Sequence, residues 1–218
     1  DDLRRIERAL GDNDPAVAGM AAWAVGQIED PRSLAPLRSL LGAKDQRVVA
    51  SAIWALGQIE DPKATGWLVA KLTDPDPAIR LVAAEALGQI EDARALTALA
   101  GALGDDDLEV KRAAAQAIGQ LDDLHTAPPQ LIAALGASDL ELRRAVAEAL
   151  GSIGDPAALG ALAGRLSDPD LETRRSIVRA IAEIDHPDVA RYLMRALKDA
   201  DPEIREYAAE ALGEHGRQ

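Results

Sequence analysis

Apolar positions along this chain recur on two scales, and the shorter one is helical. From Asp76 to Ile90 the apolar residues are Ile79, Val82, Ala83, Ala86, Leu87 and Ile90, a spacing that lays one stripe along an α-helix. Asp76 stands where a carboxylate accepts from the free N–H groups of the first turn, and Pro77 follows at the position where a missing donor costs nothing. On the longer scale, Ala55-Leu56-Gly57-Gln58-Ile59-Glu60-Asp61 returns at 86–92 and nearly again at 24–30. Looser copies surround Gly119, Gly151, Ala182 and Gly213, so seven anchor positions follow one another at 31 or 32 residues. A fixed period of this size predicts an array in which each repeat buries its apolar face by stacking on its neighbours.

Each repeat reads as two helices, A then B. An aspartate stands twelve residues before every anchor (Asp14, Asp45, Asp76, Asp107, Asp139, Asp170 and Asp201) and predicts the start of each B helix. A helices open at Asp30-Pro31, Asp61-Pro62 and Asp155-Pro156, with His186-Pro187 in one repeat; Leu34, Leu37, Leu40 and Leu41 mark an apolar face. The expected organisation is one domain, 1–218, with repeats at about 1–29, 30–60, 61–91, 92–122, 123–154, 155–185 and 186–218. The repeat at 123–154 carries one extra residue and Pro128-Pro129, which delays its A helix to near Pro128 and predicts a bulged loop, either a tolerated insertion or a functional one. A local change in superhelix geometry is expected there too. Both ends are expected to be closed, by a charged helix over 1–10 and by Glu203, Glu206, Glu210 and Glu214.

Composition narrows the functional classes. Aromatic residues are 2% with no Phe, so Ala and Leu must fill the core, which suits closely packed helices. Net charge is 24 − 37 = −13, which repels phosphate backbones and argues against a nucleic-acid partner. There is no Cys, and no apolar run reaches the roughly 18 residues of a membrane span. The chain begins at Asp1 without Met, which reads as a processed or excised piece. A soluble protein is expected, cytoplasmic, or periplasmic if excised from a membrane sensor.

Four residues after the cap stands a cation in five repeats: Arg80, Lys111, Arg143, Arg174 and Arg205, following Asp76, Asp107, Asp139, Asp170 and Asp201. The first two repeats carry Ala18 and Val49 instead. This spacing predicts a structural ladder in which each cation meets its own cap or that of the next repeat. Chemistry is otherwise sparse. His125, His186 and His215 fall in different repeats, and no metal, phosphate-loop or nucleophile motif is present. Asp105-Asp106-Asp107 and the Glu-Asp pairs are better explained by capping than by calcium. The anchor glycines, costly inside a helix, predict close approach of a neighbouring helix.

The pattern Asp-x-x-Val/Ile-Arg-x-x-Ala-Ala-x-Ala-Leu-Gly-x-Ile, seen at 76–90, resembles the short HEAT-like repeat of bacterial phycobilisome-lyase type across the whole chain. Trp54 to Asp61 also resembles HEAT arrays appended to bacterial membrane zinc-peptidase sensors, although no peptidase motif is present. The resemblance implies an all-α, right-handed α-solenoid of about seven HEAT-like helical pairs. Its B helices line the concave face, and their exposed positions lie 10, 7, 6 and 3 residues before the anchor. These positions give Trp23, Trp54, Glu85, Gln116, Glu148 and Arg179 in one row, Leu81, Arg112, Arg144 and Arg175 in another, with Met20 and Arg47 beside them. Trp23 and Trp54 should then stand roughly 10 Å apart, as an interaction hot spot or as packing, with Trp67 on an A helix, either convex or packed between helices. The arginines, flanked by Glu109, Glu141, Glu148 and Glu172, either pair internally or dock an acidic segment. The function expected is a non-enzymatic, monomeric scaffold binding a protein or peptide, without cofactor, metal, nucleic acid or membrane insertion. An alternative is a lyase-type or chaperone-like subunit holding a tetrapyrrole or its acceptor protein, and a third is a HEAT-like DNA glycosylase.

Overall fold

A computed structural model of the protein describes residues 2–215; Asp1, which opens the expected capping helix, and 216–218, which end the last repeat, lie outside the described residues. Among the described residues the chain is wholly helical, with fourteen α-helices and no strand. It forms two compact halves, dividing between Asp122 and Asp123.

The first half contains α1 (Asp2–Ala9), α2 (Pro15–Gly26), α3 (Leu34–Leu40), α4 (Gln46–Gln58), α5 (Thr65–Val69), α6 (Pro77–Ile90), α7 (Leu96–Ala102) and α8 (Leu108–Gln120). The B helices α2, α4, α6 and α8 pack side by side in succession, and each A helix packs on the B helix that follows it. Leu37, Ile53, Leu56, Leu68, Leu87 and Leu99 are fully buried there. The second half contains α9 (Pro129–Ala134), α10 (Leu140–Ile153), α11 (Leu159–Gly164), α12 (Leu171–Glu183), α13 (Val189–Ala196) and α14 (Pro202–His215). Here α10, α12 and α14 pack in succession around Leu131, Leu150, Leu162 and Ile177.

Local chemistry sets the boundaries. Asp14, Asp76 and Asp107 accept from the N–H groups of Ala16, Ala78 and Glu109, all at 2.9 Å, and Asp139, Asp170 and Asp201 accept one residue further on. The A helices begin with a 3₁₀ turn, as at Pro31–Ser33, Pro62–Ala64 and Pro156–Ala158, capped by Asp30, Asp61 and Asp155. In the repeat with the extra residue, α9 starts only at Pro129, and the loop before it is tied down where Ala127 N–H donates to Asp155 at 2.8 Å. Three B helices end on a glutamate in the left-handed region, Glu29, Glu60 and Glu91, where Gly154 serves in the second half.

The anchor glycines are where B helices touch. A Cβ added to Gly26, Gly57 or Gly88 would stand 2.9–3.0 Å from the Cα of Ala55, Ala86 or Ala117 on the next helix. A Cβ at Gly151 would stand 2.9 Å from the Cα of Ala180. Ala182 replaces glycine in the sixth repeat, and α14 lies less closely on α12 than α12 lies on α10. Glu203, Glu206, Glu210 and Glu214 are exposed on α14, while Val17 and Met20 on α2 and Ile28 in the turn after it leave apolar surface exposed beside the charged α1.

Candidate interaction surface

The B helices of the first half present one face to solvent, and its character changes along the row. On α2 and α4 it is aromatic. Trp23 and Trp54 stack with ring centroids 6.3 Å apart and planes 13° from parallel, closer than the roughly 10 Å helix spacing expected. Gly26 is the reason. Lacking a Cβ, it leaves room for the Trp54 ring, whose Cζ3 would stand 2.8 Å from such an atom. Trp54 is therefore half-buried against α2, while Trp23 keeps 49% of its surface and Met20 64%. Beside them an open cleft of about 420 Å³ is lined by Pro15, Ala16, Gly19, Met20, Trp23, Arg47 and Ser51. The Arg47 guanidinium at its rim is exposed and bonded to Asp45 at 2.7 Å, a contact that holds the Asp45 carboxyl down to about 2. Leu81 is half-buried on α6, and Glu85 and Gln116 continue the row as polar, exposed residues. Partial burial pushes the Glu85 carboxyl up. Trp67 lies on the A side, with Arg38 4.8 Å above its ring centre.

The arginines of the other row are engaged by carboxylates. In the first half Arg112 bonds Glu109 at 2.5 Å. In the second, Arg144 bonds Glu141 at 2.7 Å and Asp170 at 2.8 Å, and Arg175 bonds Glu172 at 2.8 Å and Glu203 at 2.7 Å. The Arg144 contact, with N–H and hydroxyl donation from Thr173, holds Asp170 down to about 2. Glu148 accepts from Ser176 at 3.3 Å, and Arg179 lines a groove of about 230 Å³ with Tyr207 and Glu210. Burial, reinforced by Glu183, raises the Tyr207 hydroxyl pKa.

The ladder differs from its expected pairing. Arg80, Arg143 and Arg174 do not meet the caps Asp76, Asp139 and Asp170 of their own helices. Arg80 grips Asp105 of the next repeat through Nε and Nη2 at 2.7 Å each, and Arg174 grips Asp199 at 2.9 and 3.2 Å. Arg143 meets Asp168 at 3.1 Å. In each case the carboxylate stands two residues before the next cap, where it also accepts the cap's own N–H. Asp107 caps its own helix, and Lys111 adds its field to that of Arg80 in lowering the Asp105 pKa. Arg205 bonds the carbonyls of Asp199 and Ala200, while Asp201 takes Arg175 at 3.4 Å.

One row escaped sequence reasoning. Gln58 donates to Gln89 at 3.0 Å across successive repeats, and a Cβ on Gly57 would stand 2.5 Å from the Gln89 carbonyl oxygen. The signal was available, since Gln27, Gln58, Gln89 and Gln120 each follow an anchor glycine. Among the described residues no group of three or more His, Asp or Glu is placed to hold a metal ion, and no helix is long and apolar enough to cross a membrane.

Helical pairs repeated at a near-constant period, stacked through glycine on alanine and cross-linked by arginines to the next repeat, define an α-helical repeat scaffold. The HEAT-repeat family model matches residues 3–70, 41–119, 65–135, 102–176 and 161–218, and the chain belongs to that family. Among solved structures, an engineered protein is 22% identical with a TM-score of 0.67, over 99% of this chain and 72% of its own. The complex of CpcE and CpcF of phycocyanin lyase from Nostoc is 22% identical with a TM-score of 0.64, over 98% of this chain and 87% of that one. Human deoxyhypusine hydroxylase in complex with glycerol is 21% identical with a TM-score of 0.50, over 99% and 85%. At these identities the likeness is one of fold. No curated protein matches the chain.

Proposed function

We propose that this chain is a non-catalytic scaffold that binds a protein or peptide segment on the B-helix face of its first half. The observation that carries this reading is Trp23, half-exposed on a stacked indole partner beside the cleft that Met20 and Gly19 help to line. A large ring already held by its neighbour loses little freedom on binding, and such aromatic anchors dominate interface energies. Arg47 and Arg112 of that face are engaged by Asp45 and Glu109, which disfavours an acidic strand or a nucleic acid as the ligand there. Affinity capture with the full chain, followed by mass spectrometry, identifies the partner. Trp23→Ala should then weaken its Kd by at least about tenfold, while Trp67→Ala on the A side leaves it unchanged. Equal affinity of wild type and Trp23→Ala would remove Trp23 as the anchor.

A second reading draws on the likeness to the Nostoc phycocyanin lyase complex. An open aromatic cleft with a cation at its rim also suits a flat tetrapyrrole carrying carboxylates. A bilin added to the purified chain would show a shifted absorbance band under this reading, and an unchanged spectrum would exclude it.

A further inference from the structure

Two positions where helix A gives way to the turn before helix B face solvent in every repeat from the second to the seventh. They lie eighteen and fifteen residues before the anchor. In the second to sixth repeats they hold small, uncharged residues, such as Gly101 and Gly104 in the fourth and Gly164 and Ser167 in the sixth. Those repeats have another before and after them in the chain, so the exposure belongs to the position and not to a chain end. In the seventh repeat the same positions hold Arg195, on the last turn of α13, and Lys198, just beyond that helix. The stacking of the other five calls for no cation at either place. Neither side chain has a hydrogen bond or ion pair with the described residues.

Arg195 and Lys198 line an open cleft of about 450 Å³ between this turn and that of the sixth repeat, together with Ser167, Arg174, Asp168 and Asp199. Both carboxylates are already engaged, Asp168 by Arg143 at 3.1 Å and Asp199 by Arg174 at 2.9 and 3.2 Å. Two positive charges are therefore left over, in a chain of net charge −13. Arg165, whose Nη1 stands 3.8 Å from Asp168, too far for a hydrogen bond, adds to the positive field.

We infer that this cleft docks a short acidic segment of a partner protein, in which two or more Asp or Glu carboxylates meet Arg195 and Lys198. Charge complementarity selects that class. A single phosphate fits less well, because the N–H groups of Leu166, Asp168, Lys198 and Asp199 are spent on carbonyls of the chain and form no cradle for it. A nucleic acid fits less well again. Its phosphates would run on beyond the cleft into the field of an acidic protein, whereas a short segment places its few charges on the two cations.

The test uses the full chain and a fluorescein-labelled hexaglutamate peptide, with binding followed by fluorescence anisotropy at about 50 mM salt. Binding should saturate and should weaken as salt rises to about 200 mM. It should fall about fivefold or more when Arg195→Ala is combined with Lys198→Ser, the residues that the fifth and sixth repeats carry at these positions. Lys44→Ser, which removes an exposed cation from a turn of the first half, should leave the affinity unchanged. The labelled glutamine peptide should not bind. No saturable binding up to about 1 mM hexaglutamate, equal binding of the glutamine peptide, or an equal loss in Lys44→Ser would overturn the assignment. Displacement of the peptide by an equal concentration of inorganic phosphate would overturn it too, in favour of a simple anion site. So would concentration-dependent dimerisation abolished by the double variant, which would assign the cleft to a second copy. Both substituted side chains are exposed, so the double variant is expected to fold, and an unchanged thermal melt verifies it.

Discussion

Arg143 and Asp168 meet at 3.1 Å with side chains only 7% and 1% exposed, as a single hydrogen bond where Arg80 and Asp105 form two. Arg143 Nε and Asp168 Oδ2 are left without a hydrogen-bond partner, while Arg143 Nη1 donates to the carbonyls of Ala137 and Ser138 at 2.8 and 3.0 Å. Removing one charge of such a pair strands the other away from water. Asp168→Ala is therefore expected to cost about 3 kcal/mol in urea unfolding, and Arg143→Met with Asp168→Leu much less. A double variant as destabilised as Asp168→Ala would show that the hydrogen bonds to backbone, from Arg143 to the carbonyls and from the Asp170 N–H to Asp168, dominate over the charge pair.

Two glycines should respond to alanine with opposite signs. At Gly57 a Cβ would press on Ala86 at 2.9–3.0 Å and on the Gln89 side chain, so Gly57→Ala should cost about 1–3 kcal/mol despite its better helix propensity. At Gly66, inside α5, nothing lies within 4 Å of the added atom. Gly66→Ala should stabilise by up to about 1 kcal/mol. Thermal melts of both variants check this, and the same sign at both positions would refute close helix approach as the reason for the anchor glycines.

The period, the caps and the late start of α9 were legible because each is set by chemistry within a few residues. Asp14 accepts from Ala16, and Pro128-Pro129 excludes a helix before it. The ladder was legible as far as a pairing with the next repeat, but its carboxylates stand two residues before the caps, in the turn between helices. Arg80–Asp105, Arg143–Asp168 and Arg174–Asp199 all span 25 residues, an offset that no intra-helical spacing contains. A subtler signal did exist. Each arginine is followed in the next repeat by an aspartate two residues before the cap, whereas Lys111 is followed by Ala137. The stacking of Trp23 on Trp54 depended on the room left by Gly26, so it could not be read from periodicity.

His186 replaces the aspartate that opens other A helices and imitates it imperfectly. Its Nδ1 accepts the Asp188 N–H at 3.2 Å, where Asp30 accepts the Arg32 N–H at 2.9 Å, and the 3₁₀ turn that precedes α3, α5, α7 and α11 is absent before α13. His186→Asp should stabilise by about 0.5–1 kcal/mol at about 0.2 M salt, where repulsion from Asp185 and Asp188 is screened. Chemical denaturation checks it, and a loss of stability would mean that the imidazole packs rather than caps.

Stability should pass through a maximum on the acid side of neutrality. Asp30, Asp45 and Asp170 are held down from the ordinary 3.8 to about 2, each chiefly by an arginine hydrogen bond. A depressed folded-state pKa stabilises above the unfolded value, and that contribution is lost as pH falls from about 4 towards 2. Glu183 works the other way. Burial and the neighbouring Glu148 raise its pKa, so its contribution is present below the unfolded value and lost as pH rises through the folded one. Lowering the pH also relieves the self-repulsion of a chain with net charge −13. Tm should therefore climb as pH drops from about 7 to 5 and fall again below about 4. Glu183→Gln, which cannot ionise, should flatten the climb and leave the acid fall intact; an unchanged climb would assign it to net charge alone.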